Sequence, residues 1–132
     1  MQKEYSVYLA LSQYLRLQYP LVLYRFDLAG NNLSKAAAGK DRAIQKSRGY
    51  PDLFIMEPRG GFAGLFIEVK AAGVKISKRD GTFASPHILK QTGYLLRLTQ
   101  RGYSAEFGVG FDACKKLIDE YLSLPVCKLE KP

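Results

Sequence analysis

Asp52, Glu68 and Lys70 are the residues of this chain whose types and spacing could do chemistry together. Asp52 opens the run DLFIME (52–57), and Glu68 and Lys70 close the run GLFIEVK (64–70). Between the runs lies PRGGFA, whose proline and glycines are turn chemistry. The pattern predicts a β-hairpin with its turn near Gly60 and Gly61, which sets Asp52 across from Glu68 or Val69. Directly opposed residues lie about 4.5–5.5 Å apart. Both carboxylates then fall at one end of the sheet. Glu68 and Lys70, two positions apart, share a face, while Leu65, Ile67 and Val69 point the other way into a core.

Carboxylates that close repel each other unless a cation lies between them. A hard divalent ion such as Mg²⁺ takes oxygen ligands at about 2.0–2.1 Å. It can polarise a phosphoryl oxygen and lower the pKa of a bound water. A neighbouring lysine can orient that water and stabilise charge on the phosphorus. These are the parts for phosphodiester hydrolysis. The same residues also fit a blander account, with Asp52 as turn chemistry and Glu68–Lys70 as a solvated pair on a strand face. Against it stands the apolar strand around Glu68, where an unpaired charge is costly.

The elements that must position these groups follow from periodicity and punctuation. Residues 3–18 carry Val7, Tyr8, Leu11, Tyr14 and Leu15 at helical spacing, and Pro20 closes that helix. LVLYRF (21–26) reads as a strand. Residues 27–50 are polar and basic and read as a long functional loop, with room for a short helical turn, or as a solvated connector. A second polar stretch, AAGVKISKRDGTFA, follows Lys70. Ser85 as N-cap and Pro86 at the first helical position open a second helix, which Gly102 ends. YSAEFGVG (103–110) alternates as a strand. Asp112 is expected to cap a last helix, bearing Leu117, Ile118, Tyr121 and Leu122 and stopped by Pro125. The order suits an α/β fold, a mixed sheet flanked by helices on both sides, in a single domain over residues 1–132.

The whole-chain properties agree. With 132 residues the chain can bury a sizeable core without disulfides. The 20 Lys and Arg against 12 Asp and Glu leave a net charge of +8, which favours a polyanionic partner, nucleic acid before an acidic membrane surface. Cys114 and Cys127 have no CxxC or His/Cys company and read as reduced thiols of a cytoplasmic protein rather than zinc ligands. No stretch is long and apolar enough for a membrane span, and the N-terminus is unlike a signal peptide.

The runs G-Y-P-D-L-F-I (49–55), F-I-E-V-K (66–70) and Q-T-G-Y-L-L-R-L (91–98) together resemble the virus-type replication-repair nuclease domain, VRR-NUC, a branch of the PD-(D/E)xK superfamily. The resemblance covers about residues 4–104 and points to the small stand-alone form of a phage or bacterial host. It implies a restriction-endonuclease-like mixed sheet and an endonuclease dependent on Mg²⁺ or Mn²⁺. Asp52 and Glu68 would be metal ligands, the main-chain carbonyl of Val69 would complete the shell, and Lys70 would be the catalytic lysine. Glu4 matches an acidic residue that many members place on the first helix, and Gln91 a recurrent glutamine that supports the lysine or the metal-bound water. Glu4 fits equally well as an acid in a helix's first turn, and Gln91 as an exposed helical side chain. His87 reads as a helix-start surface residue.

A nuclease must hold the phosphate backbone, and Arg25, Lys35, Lys40, Arg42, Lys46, Arg48, Lys75, Lys78, Arg79 and Lys90 are the candidate contacts. The sequence shows no aromatic-interleaved stacking motif, which favours backbone recognition of duplex or branched DNA over a single-strand platform. Small stand-alone members are associated with homodimers that cut four-way (Holliday) junctions, and a two-fold dimer would supply paired cuts. The competing expectations are a DNA-structure-binding module that does not cleave, and a site-specific endonuclease of the restriction type.

Overall fold

A computed structural model describes residues 2–28, 34–46 and 49–127, with nothing described of the Gln2 side chain. The elements run α1 (Gln2–Gln18), β1 (Tyr24–Phe26), α2 (Lys35–Ile44), β2 (Leu53–Ile55), β3 (Leu65–Lys70), α3 (Pro86–Thr99), β4 (Ser104–Val109) and α4 (Gly110–Leu122). The sheet order is β1-β2-β3-β4. The first three strands pair antiparallel, and β4 joins β3 in parallel after the α3 crossover. The sheet is therefore mixed, as expected.

Alternation along β3 decides what each sheet face meets. Leu65, Ile67 and Val69 are fully or almost fully buried and join Tyr8, Leu11 and Leu15 of α1 and Cys114, Ile118 and Tyr121 of α4 in one core. Burying each large aliphatic side chain is worth about 1.5–3 kcal/mol, so this face dominates the packing. Phe66, Glu68 and Lys70 point to the other face, where Gln91 of α3 reaches Glu68. The stacked rings of Phe54 and Phe66, 4.2 Å apart, cover part of that face with Tyr103 edge-on.

Helix starts follow local chemistry. Ser85 Oγ accepts from the Ile88 amide at 3.2 Å, and Pro86 follows it at the start of α3. The start of α4 departs from expectation. Its N-cap is Val109, with no side-chain cap bond, and Asp112 sits inside the first turn. There it complements the helix dipole rather than satisfying an amide. Gly110, with φ 83°, lets the chain pass from β4 into α4 with no intervening loop, so the helix starts before Asp112 can cap it. A Cβ on Gly108 would lie 2.4 Å from Cys114 Sγ, so only glycine allows α4 to pack this close to β4.

Three other expectations change. The first strand is Tyr24–Phe26 rather than 21–26, because only those residues meet β2, and Leu21 and Leu23 stay exposed. The 27–50 segment contains a ten-residue helix, α2, begun by Ser34, whose Oγ accepts from the Ala37 amide at 3.1 Å. An alanine run behind a capping serine was the signal for it. The second polar stretch forms a small ribbon: Ser77 bridges Phe83, the Lys78 amide bonds the Thr82 carbonyl, and Asp80 caps the tip through the Thr82 amide and hydroxyl.

Candidate nuclease active site

Pairing of Leu53 with Ile67 carries the register one step further to Asp52 opposite Glu68. The two carboxylates meet at one end of the sheet, as the spacing predicts. Asp52 Oδ2 accepts from the Val69 amide at 2.8 Å, so the strand backbone itself aims this carboxylate. Glu68 Oε1 accepts from Gln91 Nε2 at 2.8 Å and lies 4.0 Å from Lys70 Nζ. Glu68, Lys70 and Gln91 are 5%, 7% and 7% exposed, which removes the solvated-pair account of Glu68 and Lys70 and the exposed-helix account of Gln91.

Burying this much polarity has an electrostatic cost. Two unit charges about 4 Å apart at an effective dielectric of 20 repel by about 4 kcal/mol, a large share of a domain's total stability of about 5–15 kcal/mol. Burial pushes both carboxyls above their ordinary range. At Asp52 the neighbours offset the rise, through hydrogen bonding and the Lys70 charge. At Glu68 the Asp52 charge adds to it, Lys70 opposes it, and Glu4 adds a little more. Next to them the buried Tyr8 hydroxyl is held protonated, by burial first and the Asp52 charge second.

The donor set suits a hard cation. The half-buried Asp52 carboxylate raises the proton affinity of the buried Glu68 beside it, and Gln91 Oε1 is buried with no hydrogen-bond partner. Among the described residues no three His, Cys, Asp or Glu side chains come together as a metal cluster. Glu4 is half-buried on α1, and its charge is felt at Glu68. A site with one or two carboxylates and several retained waters is the ordinary habit of Mg²⁺.

The described basic candidates are spread over several elements. Arg25 is exposed on the edge strand β1. Lys35, Lys40 and Arg42 are exposed on α2, with Lys46 just beyond it. Lys75, Lys78 and Arg79 are exposed on the ribbon between β3 and α3. Lys90 is exposed on α3 beside Gln91, and His87 is exposed in the same helix's first turn. Arg48 lies outside the described residues.

A mixed sheet whose central strand ends in Glu-Val-Lys, with an aspartate at the start of the antiparallel neighbour and a glutamine from the crossover helix, is the arrangement that the motif resemblance implies for a PD-(D/E)xK-like core. The comparison with solved structures agrees. The chain is similar to a protein described as a VRR_NUC domain protein, with 26% identity, a TM-score of 0.65, and coverage of 96% of this chain and 97% of that one. The resemblance read from the sequence motifs is thus found again in the fold, which matches that of a VRR_NUC domain protein over nearly the whole chain. No protein-family model and no curated protein matches the chain. No helix among the described residues is long and apolar enough to cross a membrane.

Proposed function

We propose that this protein is a Mg²⁺- or Mn²⁺-dependent DNA endonuclease that acts on branched DNA, four-way junctions above all, as a homodimer. The observation that carries the reading is the Asp52–Glu68–Lys70 cluster, with Glu68 and Lys70 buried, in which the backbone aims one carboxylate and Gln91 the other. Asp52, Glu68 and the main-chain carbonyl of Val69 would hold the cation, with Glu4 contributing from α1. When bound, the cation polarises a phosphoryl oxygen and lowers the pKa of a water. Lys70 orients the attacking water and stabilises the charge that develops on the phosphate oxygens. Gln91 keeps Glu68 in place through its amide nitrogen, and its amide oxygen is available to a water. The exposed cations of α2, the ribbon and α3 supply salt-dependent hold on the phosphate backbone.

The test is cleavage of a labelled four-way junction beside a matched linear duplex in Mn²⁺, Mg²⁺ or EDTA, with Lys70→Ala as control. Paired cuts in the junction, lost in EDTA and in the variant, are expected. Full activity in Lys70→Ala overturns the mechanism. Tight binding with no product in either metal makes the chain a binding module, and discrete fragments from plain plasmid make it a restriction-type enzyme.

A further inference from the structure

Resting on the nuclease reading, we propose that Tyr50 and Tyr94 form a nucleobase subsite beside the scissile phosphate, taking one unpaired base of the DNA substrate. The two residues are far apart in sequence, which is why no stacking motif is visible there. The fold brings their rings to 5.3 Å between centroids at an interplanar angle of 72°. Each comes from an element that also carries an active-site group. Only Pro51 separates Tyr50 from Asp52, a backbone reach of at most about 7 Å. Tyr94 follows Gln91 by three positions on α3, a rise of about 4.5 Å along the helix.

The pair is not needed as core. Phe54, Phe66 and Tyr103 cover part of the sheet face under α3 without it, and Tyr50 is 38% exposed. In an edge-on contact the exposed Tyr50 ring keeps at least one face that Tyr94 does not cover. A large exposed ring next to a buried polar centre suits a flat, apolar-faced ligand that arrives with the substrate.

The surroundings favour a base attached to its phosphates. Lys90, Tyr94 and Arg97 recur at four- and three-residue spacing along one side of α3, and both cations are exposed. The Arg97 guanidinium lies 5.9 Å from the Tyr94 ring centroid. Cation, ring, cation is the order in which a strand presents phosphate, base and phosphate. A base in an intact duplex has both faces covered by its neighbours. Only a base freed at a flap or loop, or at a branch point where a pair has lost a stacking neighbour and opens, can reach Tyr50, so the subsite takes a base that is unpaired once the DNA is engaged.

The test uses a four-way junction built with a few unpaired nucleotides at its branch point, with the fluorescent base 2-aminopurine walked through them. The Lys70→Ala chain with Mg²⁺ holds the DNA uncut. Stacking is expected to quench one unpaired position several-fold in this background and in Tyr50→Phe, and not in Tyr50→Leu. On branched DNA, Tyr50→Leu in the otherwise wild-type chain is expected to raise KM about five- to a hundredfold with kcat little changed, the size of one base stack removed. Quenching that survives Tyr50→Leu, or an unchanged KM, overturns the subsite. If Tyr50→Leu does not fold, quenching by the Lys70→Ala chain is compared between unpaired positions and positions deep in a paired arm, and equal quenching overturns it. Branched DNA that binds and is cut without any base-specific quenching sinks the subsite alone. A chain that binds no DNA at all overturns the nuclease reading and the subsite with it.

Discussion

Helices α2 and α3 both present cations to solvent, yet they stand differently in the molecule. α2 carries Lys35, Lys40 and Arg42 and buries no residue at all. α3 carries Lys90 and Arg97 and buries Ile88, Gln91 and Leu95. A charge on an unanchored helix adds to the field, but its distance from the reacting atoms is not set by packing. A charge on α3 is fixed relative to Glu68, because the same helix is tied to Glu68 through Gln91. The difference separates two tasks: α2 supplies attraction, which is sequence-blind and screened by salt, and α3 supplies position.

The largest effect that would break this division lies at the centre. Asp52→Asn or Lys70→Ala is expected to lower cleavage by roughly a hundredfold or more while leaving DNA binding, read by gel shift, nearly intact. Cleavage that survives either change would mean that the cluster is a packing feature. The same cluster makes a stability prediction with a definite sign. The folded-state pKa of Glu68 is raised above the unfolded value of about 4.3. Below that pH both states hold the proton and Glu68 has no effect. As pH rises above it the unfolded chain releases a proton that the folded chain keeps, so Glu68 increasingly destabilises the fold. In EDTA, the melting temperature should therefore fall less with rising pH in Glu68→Gln than in the wild type. An identical pH dependence in the two would contradict it.

One step outward, Gln91→Ala is expected to cost about ten- to a hundredfold in activity or metal affinity, the usual range for a group that orients a ligand. Gln91→Glu should not rescue it, since a carboxylate there adds a third negative charge and loses the amide donor. Kinetics across a Mg²⁺ titration reads this directly. A Gln91→Ala enzyme with wild-type metal dependence would place Gln91 among ordinary core polar residues.

Neutralising α2, with Lys35→Ala, Lys40→Ala and Arg42→Ala together, should act uniformly. The slope of log affinity against log salt should flatten by up to about 0.9 for each phosphate that the helix no longer neutralises, with kcat and the preference among DNA shapes unchanged. A changed shape preference would show that α2 positions DNA after all, and the contrast with α3 would fail.

The smallest effect sharpens the comparison from the opposite layer. Asp119 on α4 accepts from Tyr19 at 2.8 Å, from Tyr14, and from Lys115. Burial raises its pKa, but these partners outweigh it and hold the carboxyl below its ordinary range. A depressed carboxyl contributes stability that is present above the unfolded pKa and lost as pH falls through the folded one. Asp119→Asn should lower the melting temperature by about a few degrees at neutral pH, with the gap closing in acid, and should leave cleavage untouched. A gap that persists in acid would assign the loss to packing rather than to charge.

The hairpin register, the mixed sheet and the Asp52–Glu68–Lys70 cluster were legible in the sequence because each rests on short-range rules. A two-residue period assigns strand faces, glycines near 60 and 61 set the turn, and a charge inside LFIEVK is too costly to be idle. The Ser85–Pro86 helix start was legible for the same reason. What only the tertiary structure decided involves contacts between distant segments. Gln91 read equally well as an exposed helical residue until α3 settled on the sheet face that carries Glu68. Glu4 matched a family position, and only the packing of α1 brings its charge to bear on Glu68. Tyr50 and Tyr94 are ordinary aromatics in the chain and become a pair only when α3 packs beside the segment leading into β2. Periodicity reports which way a side chain points from its own backbone; which partner it meets there depends on the docking of whole elements, and docking is set by the summed burial of many residues rather than by the local pattern of any one.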